Sequence, residues 1–298
     1  MAFTLEQLRG FVAVAEELHF GRAAARLQMT QPPLSRQIQM LERELGVRLL
    51  ERTSHSVALS TAGRAFLPEA RAVLAASENA ARVARRAAQA RGGGALVVGF
   101  IGASTYAFLP RMVSRARSEL PEVALTLKEM TGAAQVEALA LGRIDVGLVR
   151  PLPEPFAGVA SCVMREDLAL ALPHEHPLAA RRRPALRDLE GEPFIMYSPD
   201  GPYMHALLSS VFRAAGVRPR VVQALSGAQS ILALVSTGMG LALVPAETRN
   251  ACFDNVTFRP IALAPGAAVE LHAVWRPENR NPAIGPFRDL LHRVTLRG

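Results

Sequence analysis

Three consecutive glycines, Gly92-Gly93-Gly94, standing behind Arg91, constrain this chain more than any other stretch. Inside a regular element such a run carries a large backbone-entropy cost, so it reads as a hinge or linker between separately folded parts. The textures on its two sides differ. Residues 1–91 are rich in Ala, Leu and Arg at helical spacing, whereas after the glycines short apolar runs alternate with helical patterns, as in an α/β domain. The 298 residues, 50% of them apolar, suffice for two cored domains. Charge divides unevenly as well: of the formal net +8, residues 1–91 hold 13 Arg against eight Glu. That excess favours an anionic partner such as nucleic acid without identifying one. Lys128 is the single lysine, a skew assigned to codon usage before phosphate recognition.

In residues 1–91 the spacing predicts four helices. Thr4 and Gln7 have capping-box spacing, and Leu5, Leu8, Phe11, Val12 and Ala15 then share one helical face. A short helix starts near Gly21 and packs Ala23, Ala24 and Leu27. Thr30 is the expected N-cap of the third, with Pro32 and Pro33 in its first turn, Leu34, Ile38, Leu41 and Leu45 on its core face, and Gly46 as its stop. Two short helices joined by a tight turn behind a leading helix form the helix-turn-helix pattern. Residues 49–52 and 57–59 read as a β-hairpin about a polar tip. Ser60 caps a long helix on which Phe66, Val73, Ala80 and Ala87 recur every seven residues with Ala70, Ser77 and Ala84 between them, a small-residue seam suited to dimerisation. Pro68 predicts a kink in it.

Beyond the glycines the expected order is strand 95–101, helix 108–119, strand 123–128, helix 133–141 and strand 144–149, a β-α-β-α-β series implying a parallel sheet. A second such set has strands near 168–172, 194–197, 221–224 and 241–244, then a late strand 269–275 and a closing helix 286–295. Cys162 and Cys252 read as buried free thiols in a reducing compartment. Neither a signal segment nor an apolar run of about 20 residues is present, so the expectation is a soluble cytoplasmic protein with no membrane partner.

Enzyme signatures are absent: there is no Gly-x-Ser-x-Gly elbow, no Walker loop and no catalytic constellation. Gly238-Met239-Gly240 lacks the third glycine of a dinucleotide fingerprint and reads as a helix-to-strand turn. His174-Glu175-His176 lacks further ligands nearby, so neither a metal nor a cofactor is expected. The third helix does carry readout chemistry. Gln31, Arg36 and Gln39 suit base edges, Pro32 and Pro33 a thymine methyl, and Thr30 and Ser35 phosphate oxygens. Arg52, with Ser54 and His55 at the hairpin tip, suits the minor groove or the backbone. Each residue read singly is equally a solvated surface position.

The run Phe11-Val12-Ala13-Val14-Ala15-Glu16-Glu17, Phe20, Ala23-Ala24, Leu27, Thr30-Gln31-Pro32-Pro33-Leu34-Ser35-Arg36-Gln37-Ile38, Leu41-Glu42, Leu45-Gly46-Val47, Leu49-Leu50-Glu51-Arg52 and Leu59-Ser60-Thr61-Ala62-Gly63 resembles the DNA-binding region of LysR-type transcriptional regulators. Gly21 departs from the family's usual Ser or Thr, yet still serves as a cap. Leu109-Pro110, Gly142-Arg143-Ile144-Asp145-Val146-Gly147, His176-Pro177-Leu178 and Leu243-Val244-Pro245 extend the likeness more loosely. The resemblance implies an α/β chain with an all-α-rich winged helix-turn-helix domain (1–59), a linker or dimerisation helix (60–91) and an effector-binding domain (92–298) resembling periplasmic binding proteins. Its lobes would comprise about 95–163 with 268–298, and about 164–267. The family also implies double-stranded DNA with an inverted-repeat operator, a homodimer assembling into a homotetramer, a small-molecule inducer, and activation as the commoner mode.

Within the family the look is nearest to regulators of aromatic-compound catabolism, which implies a carboxylate such as a muconate. Ala103 and Gly132 stand where that subgroup often has inducer-binding hydroxyls, with Ser104 and Thr131 adjacent. Ligands of open α/β sheets collect beyond the carboxyl ends of strands, which independently selects Ser104, Thr105, Thr131, Ser198, Tyr203 and Gln229, and Arg150 as the carboxylate partner, while the resemblance adds Gly132. Each hydroxyl is as readily a cap of the following helix. The rival reading is a small-molecule binding or transport protein that uses its N-terminal region only for assembly.

Overall fold

The computed structural model describes residues 3–52, 56–89, 94–152, 156–263 and 267–295, except the side chains of 82, 83, 85–89 and 295. The chain divides into two units, Met1–Ala88 and Gln89–Gly298.

In the N-terminal unit, helix α1 (Leu5–Glu17) opens on the expected capping box between Thr4 and Gln7. Leu8, Phe11 and Val14 are buried along it, while Leu5 is exposed at its start. Helix α2 (Phe20–Arg26) is capped by His19, whose ring nitrogen accepts from the Arg22 amide, so Gly21 lies inside the helix and is not its cap. Helix α3 (Gln31–Leu45) ends at left-handed Gly46, as the sequence predicts. Leu34, Ile38 and Leu41 of α3 pack with α1 and α2 and with Leu49 and Leu50 of the following segment. Strands β1 (Leu50–Arg52) and β2 (Val57–Leu59) form the antiparallel hairpin.

Helix α4 (Thr61–Gln89) runs through Pro68 and is capped by Ser60, whose hydroxyl accepts from the Gly63 amide. Its first turns belong to the N-terminal core: Ala70 is buried there, and Phe66 packs edge-on against Phe3 and at a tilt against Phe11. Of the heptad seam, Val73, Ala80 and Ala84 are exposed, while the side chain of Ala87 lies outside those described.

In the second unit, strands β3 (Ala95–Phe100), β4 (Ala124–Glu129), β5 (Val146–Val149), β6 (Val159–Glu166) and β12 (Val269–Trp275) form a five-stranded sheet in the order β4-β3-β5-β12-β6. Helices α5 (Phe108–Glu119) and α9 (Ile284–Thr295) bury Phe108, Met112, Phe287 and Leu290 on one face, and α6 (Gly132–Ala140) buries Ala138 and Leu139 on the other. The remaining elements are β7 (Leu168–Pro173), β8 (Pro193–Tyr197), α7 (Pro202–Ala215), β9 (Arg220–Leu225), α8 (Ala228–Ser236), β10 (Ala242–Pro245) and β11 (Val256–Pro260). They build a second lobe around Leu170, Leu172, Phe194, Leu208, Ile231 and Leu243.

As the β-α-β-α-β series implies, β3 runs parallel to β4 and β5, and β8 runs parallel to β9. Neither lobe is parallel throughout, since β12 runs antiparallel to both β5 and β6, and β7 lies antiparallel between β10 and β11. The sequence reading lacks β6 and β11. Both thiols also differ from expectation, since Cys162 is half-buried and Cys252 exposed. Gly238 is left-handed between α8 and β10, in the expected helix-to-strand turn.

Gly63, in the first turn of α4, lies where a Cβ would collide with the Leu49 carbonyl, whereas a Cβ on Gly285 meets nothing within 4 Å. Gly63→Ala is therefore expected to cost about 3 kcal/mol or more of N-terminal stability, and Gly285→Ala to be neutral or slightly stabilising. Urea unfolding of the two variants checks the contrast; equal effects would contradict the close approach.

Candidate nucleic-acid interface and inter-lobe cleft

Amphipathic spacing turns Leu34, Ile38 and Leu41 of α3 inward and leaves Gln31, Pro32, Pro33, Arg36 and Gln39 exposed, with Ser35 half-buried. Thr30 has N-cap backbone geometry, yet its hydroxyl makes no capping bond. The cause is local: a cap accepts from the second or third helical amide, and here both positions are proline. The exposed Thr30 hydroxyl is thus left for an outside partner. Arg22, Arg26, Arg52 and Arg71 pair with Glu16, Glu17 or Glu42, whereas Arg36, Arg43 and Arg48 have no ion pair among the described residues. Arg43 and Arg48 were not singled out in the sequence, although their exposed positions extend the same basic region.

Arg52 has structural work. Its Nη2 lies 3.1 Å from Glu42 Oε2, and its guanidinium stands 4.8 Å above the Phe20 ring. Glu42 also accepts, through Oε1, from the amides of Leu49 and Leu50 at 2.9 and 3.0 Å. One carboxylate on α3 therefore fixes both the entry to the hairpin and the arginine beside it. Ser54 and His55 fall outside the described residues.

The candidate cleft residues separate into two groups. Ser104 is buried and donates to the Ile101 carbonyl at 2.7 Å, Thr105 donates to Gly102, and Thr131 caps α6 by accepting from the Ala134 amide at 3.3 Å. Their hydroxyls serve the local backbone. Gly132 opens α6 with free space at its Cβ position, and Gln229 is exposed in the first turn of α8. Arg150 and Tyr203, by contrast, converge on one residue. Arg150 Nη1 donates to the Glu270 carbonyl at 2.9 Å, and the Glu270 amide donates to the Tyr203 hydroxyl at 3.0 Å.

Arg150 Nη2 also lies 3.7 Å from Glu166 Oε1, with the two side chains 12% and 6% exposed. Burial pushes the guanidinium below its ordinary value and the Glu166 carboxyl above its own. The Glu247 amide donates to Glu166 Oε2 at 3.0 Å, so the ion pair reaches from the first sheet into the second lobe. Burial also raises the phenols of Tyr197, Tyr203 and Tyr106, with Arg150 opposing the shift at the first two. The Tyr197 hydroxyl and Ser198 Oγ are buried without a hydrogen-bond partner among the described residues. Glu166, Tyr197 and Glu270 were not named as cleft residues in the sequence; the strand-end positions of Glu166 and Tyr197 were the available signal.

His174-Glu175-His176 forms no ligand set. His174 bonds Thr257, and His176 accepts from the Leu178 amide while standing 3.6 Å from Glu192.

A family model of bacterial regulatory helix-turn-helix proteins of the lysR family matches residues 5–64, and one of the LysR substrate binding domain matches residues 89–295. The chain belongs to the LysR family. This LysR-family protein is a DNA-binding transcriptional regulator with an effector-binding domain, in a family of regulators and not of enzymes. AlsR, an HTH-type transcriptional regulator of Bacillus subtilis (strain 168), is 38% identical to it over 288 residues, covering 95% of this chain and 93% of that protein. CbnR, a LysR family regulator solved with its target DNA, is 31% identical, with a TM-score of 0.74 and coverage of 98% of this chain and 99% of that one. The BenM effector binding domain, solved with its effector benzoate, is 28% identical, with a TM-score of 0.61 over 67% of this chain and 91% of its own. Among the described residues no helix is long and apolar enough to cross a membrane.

In this LysR-family chain, Glu42→Ala would strand the Leu49 and Leu50 amides and release Arg52. The expected cost is about 2 kcal/mol, read as faster amide exchange at both residues, with Glu42→Gln milder because it keeps an acceptor. Unchanged exchange in Glu42→Ala would remove Glu42 from this role.

Proposed function

We propose that the exposed face of α3 reads an operator in the major groove, and that a small carboxylate bound between the lobes alters how the assembled protein engages promoter DNA. The observation that carries the DNA-reading role is the set of exposed polar groups on α3, with Arg36 free of ion pairs among the described residues. Gln31, Arg36 and Gln39 then take base edges, Pro32 and Pro33 a thymine methyl, and Thr30 and Ser35 phosphate oxygens. Arg52, held by Glu42, is a backbone or minor-groove contact only where that pairing persists beside DNA; Ser54 and His55 complete the proposed hairpin contacts. The likeness to CbnR, itself solved with target DNA, supports this docking.

Exposed Val73, Ala80 and Ala84 on α4 support a homodimer along that helix, with a homotetramer completed through the effector domains. A dimer places its recognition helices on inverted half-sites. Activation is the regulatory mode we propose, with DNA in the cytoplasm as the setting. For the inducer, Arg150 supplies the cation, while Tyr197 and Ser198 supply hydroxyls that nothing else occupies. Tyr203, Gln229, Gly132, Thr131, Ser104 and Thr105 complete the proposed cleft. BenM's benzoate supports an aromatic-catabolism carboxylate as the inducer class.

Arg36→Ala and Gln31→Ala should each weaken operator binding by about 1–3 kcal/mol without altering thermal unfolding, and operator affinity should fall steeply with salt. Unchanged footprints or a flat salt response would remove α3 from the readout role.

Tyr197→Phe gives a two-sided expectation. Removing an unpartnered buried hydroxyl should raise ligand-free stability by up to about 1 kcal/mol while weakening the thermal shift produced by aromatic and aliphatic carboxylates. A Tyr197→Phe protein with a lower melting temperature and an undiminished ligand shift would refute this role for the phenol.

A further inference from the structure

Beside the Arg150–Glu270–Tyr203 contacts, one cluster of side chains has coordination chemistry that the regulator function does not use. Among the described residues, Cys162, Glu270 and His272 each bring one donor atom to a common point, all within 4.8 Å of one another. All three are half-buried.

A backbone irregularity creates the cluster. β6 and β12 pair as Leu271 with Met164 and then His272 with Cys162, so one extra β6 residue, Val163, intervenes. Val163 and Met164 are both buried in the core beneath the sheet. Without the bulge, side-chain alternation would put Cys162 on the same core-facing side as Met164. The bulge turns its sulfur to the opposite face, directly across from His272. Glu270, two residues before His272, shares that face by strand periodicity.

We propose that Cys162, Glu270 and His272 form a binding site for a divalent transition-metal ion of the zinc class. A thiolate, an imidazole and a carboxylate are the ligand types such ions select, and three protein ligands leave a fourth position for water. Zinc bonds of about 2.0–2.3 Å hold tetrahedral ligands about 3.3–3.8 Å apart, so shifts of up to about 1 Å, closing the wider separations and opening the Glu270–His272 contact, suit the set to an ion. Glu270 is already a charged acceptor: Oε2 meets His272 Nε2 at 2.8 Å, and His272 holds the carboxyl below its usual range. An ion would replace that hydrogen bond while Arg165, 2.8 Å from Oε1, stays on the outer oxygen and orients the carboxylate. Arg165 also opposes the ion electrostatically, which favours a weakly held, exchangeable metal over a permanent structural one.

The position gives such binding a consequence. Glu270 is the residue whose amide and carbonyl hold Tyr203 and Arg150, so an ion on its side chain fixes the strand segment that carries both cleft groups. The site stands independently of which inducer occupies the cleft.

The test titrates Co²⁺ into the untagged full-length chain and follows the near-ultraviolet sulfur-to-cobalt charge-transfer band. One equivalent should saturate the band, and Zn²⁺ should abolish it by displacement. Cys252→Ser, which removes the other free thiol, should retain the band. Cys162→Ser should lose it, and His272→Gln should weaken Co²⁺ binding by more than about tenfold, a loss that outer-shell changes alone can reach. Circular dichroism checks that each variant is folded, and Glu270→Gln serves as a third ligand variant should either of the others fail to fold. A chain with no charge-transfer band, a band that follows Cys252, or folded ligand variants that bind as tightly as the parent would overturn the proposal.

Discussion

The effector unit depends on how one strand, β12, satisfies two cores at once. Val269 at its start is buried with the second lobe, while Leu271 and Ala273 are buried with the first. The chain passes between lobes twice, once at Asp167 between β6 and β7 and once on the way from β11 into β12. Since β6 and β12 are hydrogen-bonded neighbours, the two crossings lie side by side. Two adjacent strands thus form the covalent connection between the lobes. Arg150, Glu166, Tyr203 and Glu270 meet beside this connection.

Legibility in the sequence followed the range of the interaction involved. Helix caps and core stripes depend on residues three or four apart, so the Thr4–Gln7 box, the Gly46 stop and the Leu34, Ile38 and Leu41 stripe could be read directly. Cap identity at α2 was missed because a His side chain took the place assigned to Gly21. The idle hydroxyl of Thr30 follows from Pro32 and Pro33 and was readable in principle. Strand β6 escaped because the bulge at Val163 breaks the alternation that identifies strands, and β11 because Val-Thr-Phe-Arg-Pro is short and ends in proline. The parallel run of β3, β4 and β5 was legible, but the antiparallel placement of β12 escaped because a late strand returning between earlier ones leaves no local signature.

The cleft shows the same limit at the level of side chains. Strand-end hydroxyls look alike in sequence, yet Ser104, Thr105 and Thr131 bond the adjacent backbone while Ser198 does not. Which course a hydroxyl takes depends on the turn geometry after each strand. Arg150 was identifiable from its position, but its partners Glu166 and Glu270 lie 16 and 120 residues away in the chain.

The two candidate sites also differ in how they are held ready. On α3 the groups proposed to read DNA are solvated and cost nothing while free, so binding would have to overcome only their dehydration and the ordering of their side chains. Between the lobes, an ion pair is held away from water with Arg150 pushed down and Glu166 pushed up, beside two hydroxyls with no partner among the described residues. An unsatisfied buried hydroxyl costs on the order of 1 kcal/mol. A ligand that supplies acceptors to Tyr197 and Ser198 and negative charge to Arg150 recovers that cost on binding. On the proposed reading, a carboxylate that meets these groups in one arrangement of the lobes and not in the other has the differential affinity that biasing one conformation requires.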